Sequence, residues 1–163
     1  MTHGLDAGIA ALLGWLAMPQ VGLGAVFVIA FVSATLLPMG SEPAVFGLVK
    51  MQPELFWPAM VVATLGNTLG GALTWWMGRG ARTARDQWLE HHHQAPRGET
   101  TALRWLRRHG AKACLLSWLP IVGDPLCAVA GWLQLPFWPC MLFMAIGKGI
   151  RYLLMTSALL WAW

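Results

Sequence analysis

Apolar positions in this chain fall in long runs, broken at a few places by proline, glycine and charge. A helix rises 1.5 Å per residue, so crossing about 30 Å of hydrocarbon takes about 20 residues. Residues 55–78 reach that length with no charge inside, and residues 136–163 reach it while carrying Lys148 and Arg151. Both predict spanning helices. Two other runs stop short. Residues 21–37 meet Leu37-Pro38-Met39-Gly40-Ser41-Glu42-Pro43, and residues 44–49 then offer about 9 Å of helix before Lys50. Residues 113–119 meet Leu119-Pro120-Ile121-Val122-Gly123-Asp124-Pro125, and residues 126–135 add about 15 Å. Two prolines around an acidic residue break a helix. Each of these pairs predicts a re-entrant hairpin that enters and leaves on the same side, which requires a protein-lined or wet surrounding at that depth. Residues 1–15 predict a short apolar helix that Pro19 closes. With Lys50 as the first basic residue, that stretch does not read as a secretory signal.

The two halves match. Leu37-Pro38-x-x-x-Glu42-Pro43 aligns with Leu119-Pro120-x-x-x-Asp124-Pro125 at an offset of 82, and Phe56-Trp57-Pro58-x-Met60 aligns with Phe137-Trp138-Pro139-x-Met141 at 81. Gly66 then falls on Gly147 and Asn67 on Lys148, while Gly47 and Gly131 drift out of register. The fold class expected is an all-α polytopic membrane protein, a single domain over residues 1–163. It is an inverted repeat of hairpin plus transmembrane helix, with repeat 1 at about 21–78 and repeat 2 at about 99–160. One crossing between the hairpins sends them in from opposite faces, the plan of many secondary transporters with a site at the midplane.

Composition narrows the class. Hydrophobic residues make up 57% and charged residues 11%, with a mean hydropathy of +0.56. Too few charges remain to cover a soluble globule. A soluble cytosolic domain, a disordered chain and a nucleic-acid binder are excluded, despite the net charge of +4. Eight of the eleven Lys and Arg lie within residues 78–112, which carry +5 and leave −1 for the rest. A basic loop between apolar runs predicts a cytoplasmic position for 78–112 and affinity for anionic lipid. Arg104, Arg107, Arg108 and Lys112 form a stripe suited to an interfacial helix, or more specifically to a headgroup site. Trp57, Trp75, Trp76, Trp132, Trp138, Trp161 and Trp163 are expected at the headgroup level. Cys114, Cys127 and Cys140 match no zinc or redox spacing and read as packing.

Four ionisable residues, Glu42, Asp124, Lys148 and Arg151, fall where the membrane is expected. Each costs at least about 2.5 kcal/mol at the bilayer centre unless paired or wet. Lys148 and Arg151 share a helix face, and Glu42 and Asp124 sit at the two hairpin tips. Three readings stand. The carboxylates carry protons while the cations hold an anionic group such as a lipid phosphate. Or the four form a static lock between hairpins. Or a cation snorkels to the surface. Desolvation or a like charge raises a carboxylate pKa and a paired cation lowers it. Supporting positions are Pro38, Pro43, Pro120, Gly123 and Pro125 around the tips, Ser41 as a hairpin cap, and Asn67 as a link between helices or a site ligand. Gly66, Gly70, Gly71, Gly147 and Gly149 permit close helix packing. No histidine lies in apolar sequence to activate Ser41, so no catalytic residue is expected. His91-His92-His93 with Glu90 reads as a solvated linker, since consecutive histidines do not share a helix face. No metal or cofactor is expected.

At these residues the sequence resembles the DedA (SNARE-associated, VTT-domain) membrane protein family, in its YqaA-like branch, over about residues 32–152. The resemblance rests on Ser33-Ala34-Thr35-Leu36-Leu37-Pro38 with Ser41-Glu42, Gly66-Asn67-Thr68-Leu69-Gly70-Gly71, Ser117-Trp118-Leu119-Pro120 with Gly123-Asp124, Ala130-Gly131-Trp132, and Gly147-Lys148 with Arg151-Tyr152. It implies an inner-membrane protein with two opposed hairpins that moves lipids between leaflets, polyprenyl phosphates or phospholipids. It also implies proton coupling at membrane-embedded acids, here Glu42 and Asp124. Many members carry an arginine just before the second hairpin's proline and another shortly after. Ser117 and Ile121-Val122-Gly123 stand there instead, leaving Lys148 and Arg151 as the cations at hand.

The function expected is therefore a multi-pass inner (plasma) membrane transporter or flippase for a phosphate-bearing lipid, with protons as a possible second partner and homo-oligomers permitted. The alternatives are a small-ion or proton antiporter and a non-transporting assembly protein. An enzyme is not expected, because the paired histidines and arginine-proline pair of membrane lipid phosphatases are absent.

Overall fold

The computed structural model describes residues 19–35, 41–91, 101–119 and 123–162. Every described element is helical, so the chain is all-α as expected. Helix α1 is Pro19–Thr35, α2 is Glu42–Met51, α3 is Phe56–His91, α4 is Thr101–His109, α5 is Gly123–Trp132 and α6 is Phe137–Ala162. A 3-10 turn, Pro53–Leu55, joins α2 to α3, and a nine-residue 3-10 helix, Gly110–Trp118, precedes the second tip.

The prolines that interrupt the apolar runs start helices. Glu42-Pro43 and Asp124-Pro125 occupy the first turns of α2 and α5. Proline needs no N–H partner there, and the positive helix end favours a carboxylate. Pro58 and Pro139 likewise sit in the first turns of α3 and α6. Pro19 is itself the first residue of α1 rather than the stop of an earlier helix. Beyond the end of α5, Gln134 takes a left-handed conformation (φ 56°), Leu135 N–H donates to Ala130 O at 3.1 Å and Pro136 prevents continuation.

The segment expected as a basic loop is largely helix. Helix α3 runs without a break past Gly78 to His91, and residues 101–118 are helical again. Its arginines explain this, since they are good helix formers and find partners. Arg82 pairs with Asp86 one turn on, and Arg82 and Arg85 lie over the ring of Trp132.

Two antiparallel helices, α3 and α6, form the centre. Trp75 meets Phe137 edge-on, Asn67 meets Lys148, and Thr64 meets Gly149. The first limb of each hairpin lies mainly on the long helix of its own half; the second limb α5 lies on the long helix of the other half, and α2 packs against both long helices. Glycines allow this at backbone distance. A Cβ at Gly66 or Gly70 would stand 2.6 or 2.5 Å from the carbonyl oxygens of Phe27 and Phe31 on α1. At Gly147 it would stand 2.6 Å from Leu115 O. Helices α3 and α5 approach closest of all, with Gly78 against Ala128 O (2.0 Å) and Gly131 against Trp75 O (1.9 Å). Gly149 makes only ordinary contact with Thr64, so its packing role is slight.

Burial repeats with the sequence. On α3, Ala59, Ala63, Gly66, Asn67, Gly70, Gly71 and Trp75 are buried; 81 positions on, Cys140, Met144, Gly147, Lys148, Arg151, Tyr152 and Thr156 are buried on α6. The outer stripe repeats as well. Trp57, Val61, Leu65, Leu69 and Leu73 are exposed, and so are Trp138, Leu142, Ile146, Ile150 and Leu154. On the second limbs the buried Val45, Leu48 and Val49 match Cys127, Ala130 and Gly131 at an offset of 82. Gly47 is therefore no counterpart of Gly131, which accounts for the drift.

By length and composition, α6 is the described helix able to cross a membrane. Helix α3 is longer, at 36 residues. It falls below the same apolarity because Asn67, several glycines and several threonines line its sequence. Trp75 is 1% exposed and belongs to the core, not to a headgroup belt, whereas Trp57, Trp76, Trp138 and Trp161 are exposed. The three cysteines are free and buried, as packing requires. Residues 1–18, Pro38, Pro120, His92, His93 and Trp163 lie outside the described residues.

Candidate functional site

Asn67 on α3 and Lys148 on α6, repeat counterparts, face each other at the crossing of the two long helices. The Lys148 ammonium donates to Asn67 O (2.8 Å), to Asn67 Oδ1 and to Asp124 Oδ1 (3.0 Å), which uses all three of its N–H groups. One turn along α6, Arg151 donates through Nε to Glu42 Oε1. Its Nη1 lies 3.8 Å from Asp124 Oδ2, too far for a hydrogen bond. That Nη1 is buried without a hydrogen-bond partner.

The next residue closes the circuit. Asn67 Nδ2 donates to the Tyr152 hydroxyl at 2.9 Å, and that hydroxyl shares a hydrogen bond with Ser41 Oγ. Glu42, Arg151, Asp124, Lys148, Asn67, Tyr152 and Ser41 thus form one connected set that ties both hairpins to both long helices. Lys148 is 1% and Arg151 5% exposed, so neither side chain reaches the surface and the snorkelling arrangement is excluded. Glu42 and Asp124 retain slightly more exposure. Two carboxylates and two cations cancel formally, which lets the set be buried together; removing one member would strand its partner.

The residue types explain how the set is accommodated. Gly71 leaves room for the Lys148 ammonium, since a Cβ there would lie 3.1 Å from Nζ. Gly123 brings the second tip against the backbone of Ser117, where a Cβ would lie 2.4 Å from Ser117 O. Ser41 stands at the start of α2 but makes no side-chain cap; its hydroxyl serves Tyr152 instead. Asn67 both links the long helices and ligates within the set. Pro43 and Pro125 are exposed and shape the helix starts.

Sequence reasoning passes over Tyr152 as a site residue, although it stands beside Arg151 in a motif and is the chain's one tyrosine. Its hydroxyl is the junction between Ser41 and Asn67. The signal available is a lone phenol in an otherwise apolar helix, because a buried phenol seeks a partner. Among the described residues no group of His, Cys, Asp and Glu is arranged to hold a metal ion.

An all-helical protein with a buried, formally neutral charge cluster where two long helices cross is the class these observations define. The VTT domain pattern matches residues 37–159. The chain belongs to the VTT-domain (DedA) family. It is 35% identical over 138 residues to the inner membrane protein YqaA of Escherichia coli, covering 85% of this chain and 91% of that one. The Shigella flexneri protein of the same name matches equally. An uncharacterized protein of Haemophilus influenzae is 41% identical over 133 residues, covering 77% and 80% of the two chains. No solved structure matches.

Proposed function

We propose that this chain is a multi-pass inner-membrane protein that moves a phosphate-bearing lipid between leaflets, with Glu42 and Asp124 as proton-bearing groups. The membrane assignment is supported by the names of its relatives, by the apolarity of α6 and by the exposed apolar stripes on α3 and α6. Stripes of that size on a monomer call for lipid or a partner. Trp57 and Trp76 bound the α3 stripe about 28 Å apart, close to a hydrocarbon thickness. Asn67 lies ten residues after the first and nine before the second, at mid-depth. The repeated burial on α3 and α6 supports an inverted repeat, and the ten-residue second limbs, about 15 Å each, support hairpins that do not cross. The arginines beyond Gly78 favour a cytoplasmic position for that end.

The observation that carries the reading is Arg151: a buried guanidinium with one nitrogen paired to Glu42 and another left without a hydrogen bond beside Asp124. A planar guanidinium with a free N–H direction suits a phosphate oxygen. The substrate phosphate would take that nitrogen and compete with Glu42 for the rest. Purified protein in liposomes should transfer fluorescent phosphatidate or polyprenyl phosphate between leaflets, and Arg151→Gln should abolish transfer in protein that remains folded. Unchanged transfer in a Glu42→Gln, Asp124→Asn double variant rejects the proton-linked form.

A second reading, a static lock, is favoured by the complete use of Lys148's donors within the protein. It expects no lipid transfer by the wild type, and full cellular function when all four charges are replaced together by apolar residues.

A further inference from the structure

The two hairpins differ in how their limbs meet. In the second, Gly123 brings α5 against the backbone of Ser117, and the limbs touch. In the first, the counterpart position is Ser41, and a cleft of about 230 Å³ opens between α1 and α2. Gly22, Ala25 and Ile29 line one wall; Pro43, Gly47 and Met51 line the other. No charged residue is among the lining residues. Gly47 is the telling position. Glycine costs about 1 kcal/mol in a helix interior relative to alanine. At Gly66, Gly70 and Gly131 that cost admits a neighbouring backbone. At Gly47 a Cβ would meet nothing within 4 Å among the described residues, so no contact with them explains the glycine.

The cleft is open to the surface and adjoins the charge cluster through one lining residue. Ile29, Pro43 and Met51 along it are exposed. Pro43 on its α2 wall follows Glu42, the partner of Arg151. An apolar groove whose lining reaches the residue next to the Glu42–Arg151 pair matches an amphiphile with one anionic end. We infer that this cleft holds a hydrocarbon chain of the lipid whose phosphate engages Arg151. The inference rests on the function proposed above and adds a tail site on the first hairpin alone. Substrate selection then depends on chain as well as headgroup: a phosphate carried on a long flexible chain gains contact along α1 and α2, and a short-chain phosphate does not.

The test uses full-length protein in liposomes with dioleoyl phosphatidate carrying a photoreactive diazirine near the end of one chain. Wild type should be labelled on α1 and α2. Gly47→Phe, which fills the cleft, should lose that labelling and at least tenfold of its transfer rate. Binding of a soluble short-chain phosphate, dibutyryl phosphatidate, should stay within twofold. Ala25→Leu fills the cleft from the opposite wall and should behave alike, which covers the event that Gly47→Phe does not fold. Wild-type transfer with labelling spread over the outer stripes of α3 and α6, or unaltered in both variants, overturns the tail site. So does a photoreactive side chain at Ile29 that captures residues 1–18 or a second copy of the chain instead of lipid. A wild type that transfers no phosphate lipid but is labelled on α1 and α2 overturns the proposed function while leaving the tail site standing.

Discussion

The hairpins present the same two-residue signature, acid then proline at the start of a ten-residue helix, in two different settings. The second is clamped. Its first limb is a nine-residue 3-10 helix, unusually long for that form. At about 2 Å per residue it reaches about 18 Å, where α-helix would reach about 13.5 Å. Its tip closes through Gly123, and α5 meets α3 backbone to backbone at Gly78 and Gly131. Asp124 then has two cations within 4 Å. In the first hairpin α1 is wedged against Gly66 and Gly70, but the second limb, α2, is held by side chains. Helix α1 has 17 residues, a cleft separates the two limbs, and Glu42 pairs with Arg151, with the Ser41–Tyr152 hydrogen bond beside it. Equivalent sequence marks thus produce one second limb wedged against glycine backbone and one held by side chains, the apolar Val45, Leu48 and Val49 and the polar contacts of Ser41 and Glu42. Side-chain contacts can be exchanged for those of a ligand; a backbone wedged against glycine cannot.

The widest gap between the second limbs is expected at their glycines. Gly131→Leu should destroy the α5–α3 contact, because even a methyl group would stand 1.9 Å from Trp75 O. Little monodisperse protein should survive detergent extraction, as read by fluorescence-detected size exclusion. Recovery at wild-type yield would show that α5 is not the wedged limb.

Next come the cations. Arg151→Gln strands Glu42 and should cost about 3–5 kcal/mol, whereas Lys148→Gln leaves Asp124 with Arg151 and should cost less, about 1–3 kcal/mol. Thermal unfolding in detergent ranks the two. The reverse order would place the critical pair on the second hairpin. Adding Glu42→Gln to Arg151→Gln should restore part of the loss.

Tyr152→Phe removes the hydroxyl that joins Ser41 to Asn67 and should cost about 1–2 kcal/mol. Hydrogen exchange should quicken across α2 and stay near wild type across α5. Equal quickening would mean that the two hairpins open as one unit.

The smallest effect is expected at Gly47→Ala. The added methyl meets open space, so the substitution should stabilise α2 by up to about 1 kcal/mol. A loss of stability would show that the cleft is narrower than the first hairpin requires.

Much of this architecture is legible in the sequence because period and length are local properties. The apolar runs predict both long helices and four short limbs, and the 81- and 82-residue offsets predict which positions of the two halves share a face. The acid–proline pairs look like breaks in the sequence and are helix starts in the structure, a distinction that depends on which side of the proline the regular backbone lies. The basic segment looks like loop if charge density is taken for irregularity; i,i+4 pairing and stacking on Trp132 make most of it helix. Sequence makes Ser41 a cap and Trp75 a headgroup anchor. Both assignments rest on neighbours in sequence, while the partners that decide them, Tyr152 and Phe137, are distant in the chain.

From its order of residues alone, the chain is committed to helices, to two matching halves and to four charges lodged in apolar surroundings, since these follow from hydropathy, spacing and the cost of burying a charge. Tertiary packing assigned the pairings. Arg151 meets Glu42, Lys148 meets Asp124 and Asn67, and Tyr152 joins Ser41 to Asn67 because the antiparallel long helices cross at Asn67 and Lys148 and the second limb of each hairpin starts beside that crossing. No local rule specifies which of two buried carboxylates a given cation will reach. That depends on where α2 and α5 come to rest on the long helices, which packing decides, backbone against glycine for α5 and side chain against side chain for α2.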